Sequence, residues 1–326
     1  MHIKSYTALT PDVVLDALAS VGLQGDGHLL ALNSYENRVY QVGMDEGSPL
    51  IAKFYRDARW SDAEILEEHV FVTALTEYEI PVVPPQKING DTLHFFDGFR
   101  FSVFNKQGGR APELDSPDTL EWIGRFIGRI HAVGVLASYA HRPALNLQSF
   151  GVEPSTYLLS HDFIPGELVE VYRGVVMQAL EGIQHCFDRA GKVRTLRLHG
   201  DCHASNVLWT DEGPHFVDFD DSRMGPAVQD LWMLLSGDRA DQTRQFADLL
   251  KGYQNFFDFD LHEIHLLEAL RTLRLIHYSA WIARRWDDPA FPVAFPWFNT
   301  QRYWQDRILE LREQIALMDE PPLMQI

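Results

Sequence analysis

Asp201, Asn206 and Asp218 carry the most informative spacing in the chain. Asn206 follows Asp201 by five positions, and then come an apolar run, the turn Asp211-Glu212-Gly213-Pro214, a second apolar run and Asp218. Two strands joined by a tight turn bring their far ends together, so Asn206 and Asp218 should face one point, with Asp201 on the loop just before them. Two side-chain oxygens converging on a point suit a hard divalent cation such as Mg²⁺. A carboxylate beside them suits a base that takes the proton of an acceptor hydroxyl, and the three together are the parts phosphoryl transfer needs. Asp, Asn and Gly also favour turns, so any one of these residues alone says little; the joint spacing around a hairpin is what points to chemistry.

The elements that must position these residues read in two styles. Residues 10–21 open with Thr10 and Pro11, an N-cap and a proline at the first helical position, and continue with apolar residues at helical spacing. Residues 29–33 and 38–42 read as strands around the polar turn 34–37, and 49–55 as a third strand containing Lys53. Residues 61–77 open with Ser61-Asp62 and hold Ile65, Val70, Phe71 and Ala74 at helical intervals. A hairpin over 92–96 and 99–104 turns at Asp97-Gly98, and the polar, glycine-rich run 105–110 reads as a linker between lobes. Beyond it Leu120, Ile123, Phe126, Ile127, Ile130 and Val133 form one apolar stripe ending at Gly134. After the Asp218 hairpin, 225–254 and 262–285 resume as helices, while His262-Glu263-Ile264-His265 misses metalloprotease spacing and reads as a helix surface. The aromatics between Trp281 and Trp304 read mainly as core.

Composition narrows the class. A chain of 326 residues, 46% hydrophobic and 23% charged, can bury one or two cores. No apolar stretch of about 18 residues is available to span a membrane. The start, Met-His-Ile-Lys-Ser-Tyr-Thr, lacks the apolar segment of a signal peptide, and Cys186 and Cys202 cannot make a disulfide framework. A cytoplasmic monomer with no membrane partner is expected. A formal charge of −18 repels polyanions and argues against nucleic acid as a partner, though not against ATP, whose phosphates can be neutralised locally by Mg²⁺ and one lysine.

The block His199-Gly200-Asp201 with Asn206, and Asp218-Phe219-Asp220, stand where protein kinases carry His-Arg-Asp, Asn and Asp-Phe-Gly. Together with Asn33-Ser34-Tyr35-Glu36-Asn37-Arg38-Val39-Tyr40 and Gly108-Gly109-Arg110, this block resembles the aminoglycoside phosphotransferase and choline kinase-like branch of the protein-kinase-like superfamily, and within it the bacterial stress-response kinases. The resemblance covers nearly the whole chain. It implies an α+β, protein-kinase-like two-lobe fold: a small antiparallel-sheet lobe with one helix over 1–104, a hinge at 105–110, and a mostly helical large lobe over 111–326 containing the catalytic loop and metal hairpin. It implies Asp201 as catalytic base, Asn206 and Asp218 as Mg²⁺ ligands, and ATP as the phosphoryl donor. Lys53 should grip the phosphates and be held by Glu68, with Glu67 the fallback.

No Gly-x-Gly-x-x-Gly occurs between residues 29 and 42, so Ser34, Tyr35, Glu36 and Asn37 must cradle phosphate instead, and Phe104 and Asn105 join them in the nucleotide site. Asp230 is expected to brace the catalytic loop by accepting backbone N–H bonds. It follows Asp218 by only twelve positions with no Ala-Pro-Glu after it, which leaves no room for a phosphorylatable activation loop. The resemblance to stress-response kinases implies protein serine and threonine as acceptors, the enzyme itself included. The small-molecule branch implies homoserine, choline or an aminoglycoside-like polyol. Acidic residues such as Asp220, Asp221, Asp238 and Asp241 would favour basic acceptors in either case.

Overall fold

The structure, a computed structural model, describes residues 6–324. Residues 1–5, most of the segment read above for a leader, lie outside them, as do 325 and 326. In chain order the first elements are α1 (Pro11–Ser20), β1 (Gly25–Ala31), β2 (Arg38–Met44), β3 (Leu50–Phe54), α2 (Asp62–Glu77), β4 (His94–Phe96) and β5 (Phe99–Asn105). Then come α3 (Pro117–Gly134), α4 (Glu153–Ser160), α5 (Gly166–Ala190), β6 (Leu196–Arg197), β7 (Val207–Thr210), β8 (Gly213–Phe216) and β9 (Met224–Gly225). The chain finishes with α6 (Val228–Trp232), α7 (Arg239–Tyr253), α8 (Leu267–Ala283), α9 (Ala290–Ala294) and α10 (Gln301–Asp319). Among the described residues, no helix is long and apolar enough to cross a membrane.

These elements form two compact units. The first holds the described residues up to Glu113 together with Tyr139–Arg142 and His203–Ser222; the second holds Leu114–Ser138, Pro143–Cys202 and Arg223 onward. In the first, a five-stranded antiparallel sheet runs β1-β2-β3-β5-β4. Strand alternation divides its faces. Ala52 and Phe54 of β3 join Val42, Phe99, Phe101 and Val103 in a core closed by Val14, Ala17 and Leu18 of α1. Ile51 and Lys53 therefore point the other way. The hairpin β7–β8 turns at Asp211-Glu212 and is fastened to this unit at two places. Phe216 N–H bonds Pro81 O at 2.8 Å, while Arg110 and Trp209 exchange backbone bonds of 2.9 and 2.7 Å. Arg110, at the end of the segment read as a linker, is thus tied to the hairpin.

The second unit is helical apart from the short β6–β9 pair. Helices α3 and α7 touch through glycine: a Cβ on Gly124 or Gly252 would run into the backbone of Leu249 or Glu121. The aromatic tail is largely core, with Phe291, Phe298 and Trp304 fully buried.

Residues 225–254 hold two helices, α6 and α7, with Gly237 at φ 82° between them. Two differences from the sequence reading have physical causes. Residues 261–266 are 3₁₀, and α8 begins at Leu267; Glu263 there is 2% exposed, since its carboxylate accepts the Val228 N–H at 2.9 Å, so the segment is not a helix surface. Helix α5, unassigned from motif spacing, buries Tyr172, Val175, Val176, Ala179, Ile183 and Cys186 along one face.

Candidate active site

The outward face of β3 begins a cleft of ≈ 350 Å³ built wholly from the first unit. Ile51, Lys53, Val39 and Phe104 contribute from the sheet, Glu68 and Val72 from α2, and Asn206, Leu208, Val217, Asp218 and Phe219 from the hairpin. Leu32, Asn33, Ser34 and Asn105 line its rim. The register places Lys53 opposite Val39 and Ser102, which fixes the ammonium on the cleft side.

The hairpin performs as its spacing implies. Val217 N–H bonds Asn206 O at 3.0 Å, locking together the residues that begin and end the excursion. Asp218 then adopts φ 62°, ψ 67°, a left-handed conformation that costs a non-glycine residue about 1 kcal/mol and is retained where surroundings over-determine it. Its side chain stays 55% exposed. The next residue, Phe219, is buried edge-on against Phe71 of α2, with ring centroids 6.0 Å apart, which anchors the turn.

Lys53 is not held by Glu68. Its Nζ lies 3.0 Å from Asp218 Oδ1 and 3.1 Å from Asp220 Oδ1, while Glu68 Oε2 accepts from Arg142 Nη2 at 2.7 Å. Arg142 outcompetes the lysine because the Tyr139–Arg142 segment is pinned on α2. Glu67 accepts backbone N–H bonds from Ala140, His141 and Arg142, and the guanidinium also donates to the carbonyls of Glu64, Asp220 and Ser222. The fallback Glu67 is therefore also no partner for Lys53. Glu68 remains close enough to act on it: burial pushes the Lys53 pKa down, but the charges of Asp218, Asp220 and Glu68 overcome this and hold it well above the ordinary lysine value. Burial raises the Glu68 pKa despite Lys53 and Arg142.

The turn 34–37 divides its residues. Ser34 lines the cleft, and Tyr35 is exposed outside its lining. Glu36 and Asn37 are buried and face the protein: Glu36 pairs with Arg56 at 3.2 Å and Arg59 at 3.4 Å, and Asn37 Oδ1 accepts the Arg56 N–H at 3.1 Å. Arg56 also donates to the carbonyls of Tyr35 and Glu36. In a planar trans peptide the N–H points opposite the carbonyl, so the amides of Glu36 and Asn37 point away from Arg56. Of the four side chains in this turn, that of Ser34 lines the cleft.

The carboxylates expected to attract basic acceptors are largely engaged. Arg59 binds Asp221 at 2.8 Å and also grips Asp220, whose pKa falls to about 2 because Arg59 and Lys53 outweigh its burial. Asp238 caps α7 and Asp241 pairs with Arg244. Arg59, Arg142 and Arg274 are functional candidates that spacing did not reveal; each is a single arginine with no periodic signal.

Asp201 lies in the second unit, on the loop after β6. Asp230 fixes that loop by accepting the N–H groups of His199 and Gly200 at 2.7 and 2.9 Å, and is itself bonded by His131 Nε2 at 3.0 Å. Gly200 supplies φ 89°, and His199 Nδ1 accepts the Asp201 N–H at 3.3 Å. Arg274 Nη1, on α8, donates to Asp201 Oδ1 at 2.7 Å.

A fastened loop carrying Asp201, a buried lysine on two aspartates and an Asn–Asp hairpin are the features expected of protein-kinase-like phosphotransferases, and comparison supports that class. Residues 28–267 match the phosphotransferase enzyme family, to which the chain belongs, as one of its kinases. Stress response kinase A of Escherichia coli (strain K12) is 44% identical over 319 residues, covering 98% of this chain and 96% of that protein. The serine/threonine protein kinase RdoA of Salmonella typhimurium (strain LT2) is 42% identical with the same coverage. Among solved structures, an amicoumacin kinase superposes with a TM-score of 0.74 over 97% of this chain and 95% of its own, at 18% identity. A microcompartment-associated aminopropanol kinase gives 0.72 over 94% and 97%, at 17% identity. These two likenesses establish the protein-kinase-like fold.

Proposed function

We propose that this kinase transfers the γ-phosphoryl group of ATP, with Mg²⁺, to serine and threonine hydroxyls of proteins. The observation that carries the acceptor class is the 42% identity, over 98% of this chain, to a relative named as a serine/threonine protein kinase. The nucleotide reading rests on the cleft, whose volume suits a small ligand. Lys53 grips the phosphates, the Ser34 hydroxyl and the amides of its turn meet their oxygens, and Phe104 and Asn105 border the rest of the nucleotide. Arg59 ties Glu36 of the turn to Asp220 and so keeps the two phosphate-facing segments in register.

Asn206 and Asp218 offer amide and carboxylate oxygen on the same cleft wall. Mg²⁺ is held by one or two carboxylates plus substrate phosphates rather than by a full protein cage, so this sparse all-oxygen set fits it. Bound there, the cation would neutralise charge developing on the transferred group. Asp201, its loop locked by Asp230, takes the acceptor hydroxyl's proton.

The test is transfer from γ-labelled ATP to Ser/Thr proteins, the enzyme itself, homoserine, choline and aminoglycosides side by side, with and without EDTA. Label should enter protein serine or threonine and vanish in chelator. Phosphorylation of a small molecule with kcat/KM of roughly 10⁴ M⁻¹s⁻¹ or above, with proteins unlabelled, overturns the acceptor reading.

A further inference from the structure

Resting on that reading and deepening it, we infer that Arg274 is a specificity-determining residue that selects serine and threonine hydroxyls flanked by acidic side chains. The ion pair with Asp201 uses only Nη1, which also makes a long contact of 4.0 Å to Met233 Sδ. A guanidinium carries five N–H donors in a rigid fork, so Nε and Nη2 remain to be offered. The Arg274 side chain is 42% exposed, against 22% for Asp201, so solvent reaches it beside the carboxylate. Any hydroxyl that comes within hydrogen-bond reach of Asp201 therefore arrives next to a fixed positive charge with donors to spare.

One turn further along α8, His277 stacks on Phe150 with centroids 4.2 Å apart, and the Arg223 guanidinium lies 4.7 Å from the same ring. Residues three apart on a helix are surface neighbours, so His277 shares Arg274's face. Asp230 is committed to the loop amides and His131, and Glu268 Oε1 accepts from Arg271 at 2.8 Å. Arg274 thus sets a half-exposed guanidinium beside Asp201 in a chain whose formal charge is −18. An acceptor bearing carboxylates beside its hydroxyl gains a bidentate partner there, and a cationic acceptor is repelled.

The experiment measures kcat and KM for peptides with one serine in acidic, neutral and basic contexts, beside homoserine, which carries a carboxylate, and choline, which is a cation. The wild type should favour the acidic over the basic peptide by at least about tenfold in kcat/KM, mostly through KM. Arg274→Lys should keep that direction, Arg274→Gln should erase it, and Arg274→Glu should invert it. Because each ratio is internal to one variant, a general loss of rate through Asp201 leaves it readable. A wild type that prefers basic peptides or choline, or an Arg274→Glu variant that keeps the acidic preference, overturns the inference. Transfer to homoserine with every peptide unlabelled discards the protein-acceptor reading yet retains selection for an anionic acceptor.

Discussion

At the residue scale, the tasks proposed for Asp201 and Lys53 are separable. Asp201→Asn should abolish transfer while leaving ATP affinity within several-fold of wild type by calorimetry, because the base acts on the acceptor and lies outside the nucleotide cleft lining. Lys53→Ala should raise the ATP KM as well as lower kcat, and it also leaves Asp218 and Asp220 without the cation between them. A full-strength Asp201→Asn enzyme, or an unchanged ATP KM in Lys53→Ala, would contradict these roles. That Asn206 and Asp218 share a cleft wall could be read from the sequence because a hairpin converts spacing into proximity. The partner of Glu68 could not. Position on a helix specifies which way a carboxylate points, but the choice between Lys53 and Arg142 was made by a segment lying 74 positions further on.

At the element scale, α2 is specified locally and docked remotely. Its start was legible because Ser61 and Glu64 form a complete capping box, while the Tyr139–Arg142 strap that docks it has no periodicity to betray it. Arg142→Ala would leave Glu68 buried without its counter-charge and should destabilise the protein by about 3–5 kcal/mol in urea unfolding, with Glu68→Gln in the same background recovering part of the loss. A cost under about 1 kcal/mol would mean that the strap is not holding the helix. In the second unit, Gly252→Ala must force α7 away from α3 at Glu121, and overpacking of this kind costs about 1–3 kcal/mol despite alanine's better helix propensity. A stabilised variant would show that the helices can separate freely. The stripe on α3 was readable, but the glycine contacts were not, since a missing side chain leaves no pattern.

At the scale of the whole molecule, stability should carry the signature of Glu263. Burial raises its pKa to about 7, with the Val228 N–H and Arg194 opposing and Asp260 adding to the rise. A carboxyl raised in the folded state contributes stability that is fully present below its ordinary value near 4.5 and is lost as pH climbs through 7. The shift corresponds to up to about 3 kcal/mol across that window. Glu263→Gln should flatten this part of the stability profile, measured as urea midpoints between pH 5 and 8; an unaltered slope would exclude Glu263 as its source. The sheet unit and the helical character of the remainder were visible in the sequence because alternation and helical stripes are local. The grouping of His203–Ser222 with the sheet was not, because it depends on backbone bonds to Pro81 and Arg110.

That grouping also bears on how the chain can mature. Lys53 is buried and Arg59 partly so, yet their partners Asp218 and Asp221 lie 165 and 162 positions downstream. At ribosomal speeds of about 5–20 residues per second, those partners are made roughly ten to thirty seconds later. Until then Lys53 has neither of its aspartates, and Arg59 has Glu36 alone of its three carboxylate partners. Part of the first-made unit of this kinase thus waits for residues made much later before its cleft is complete.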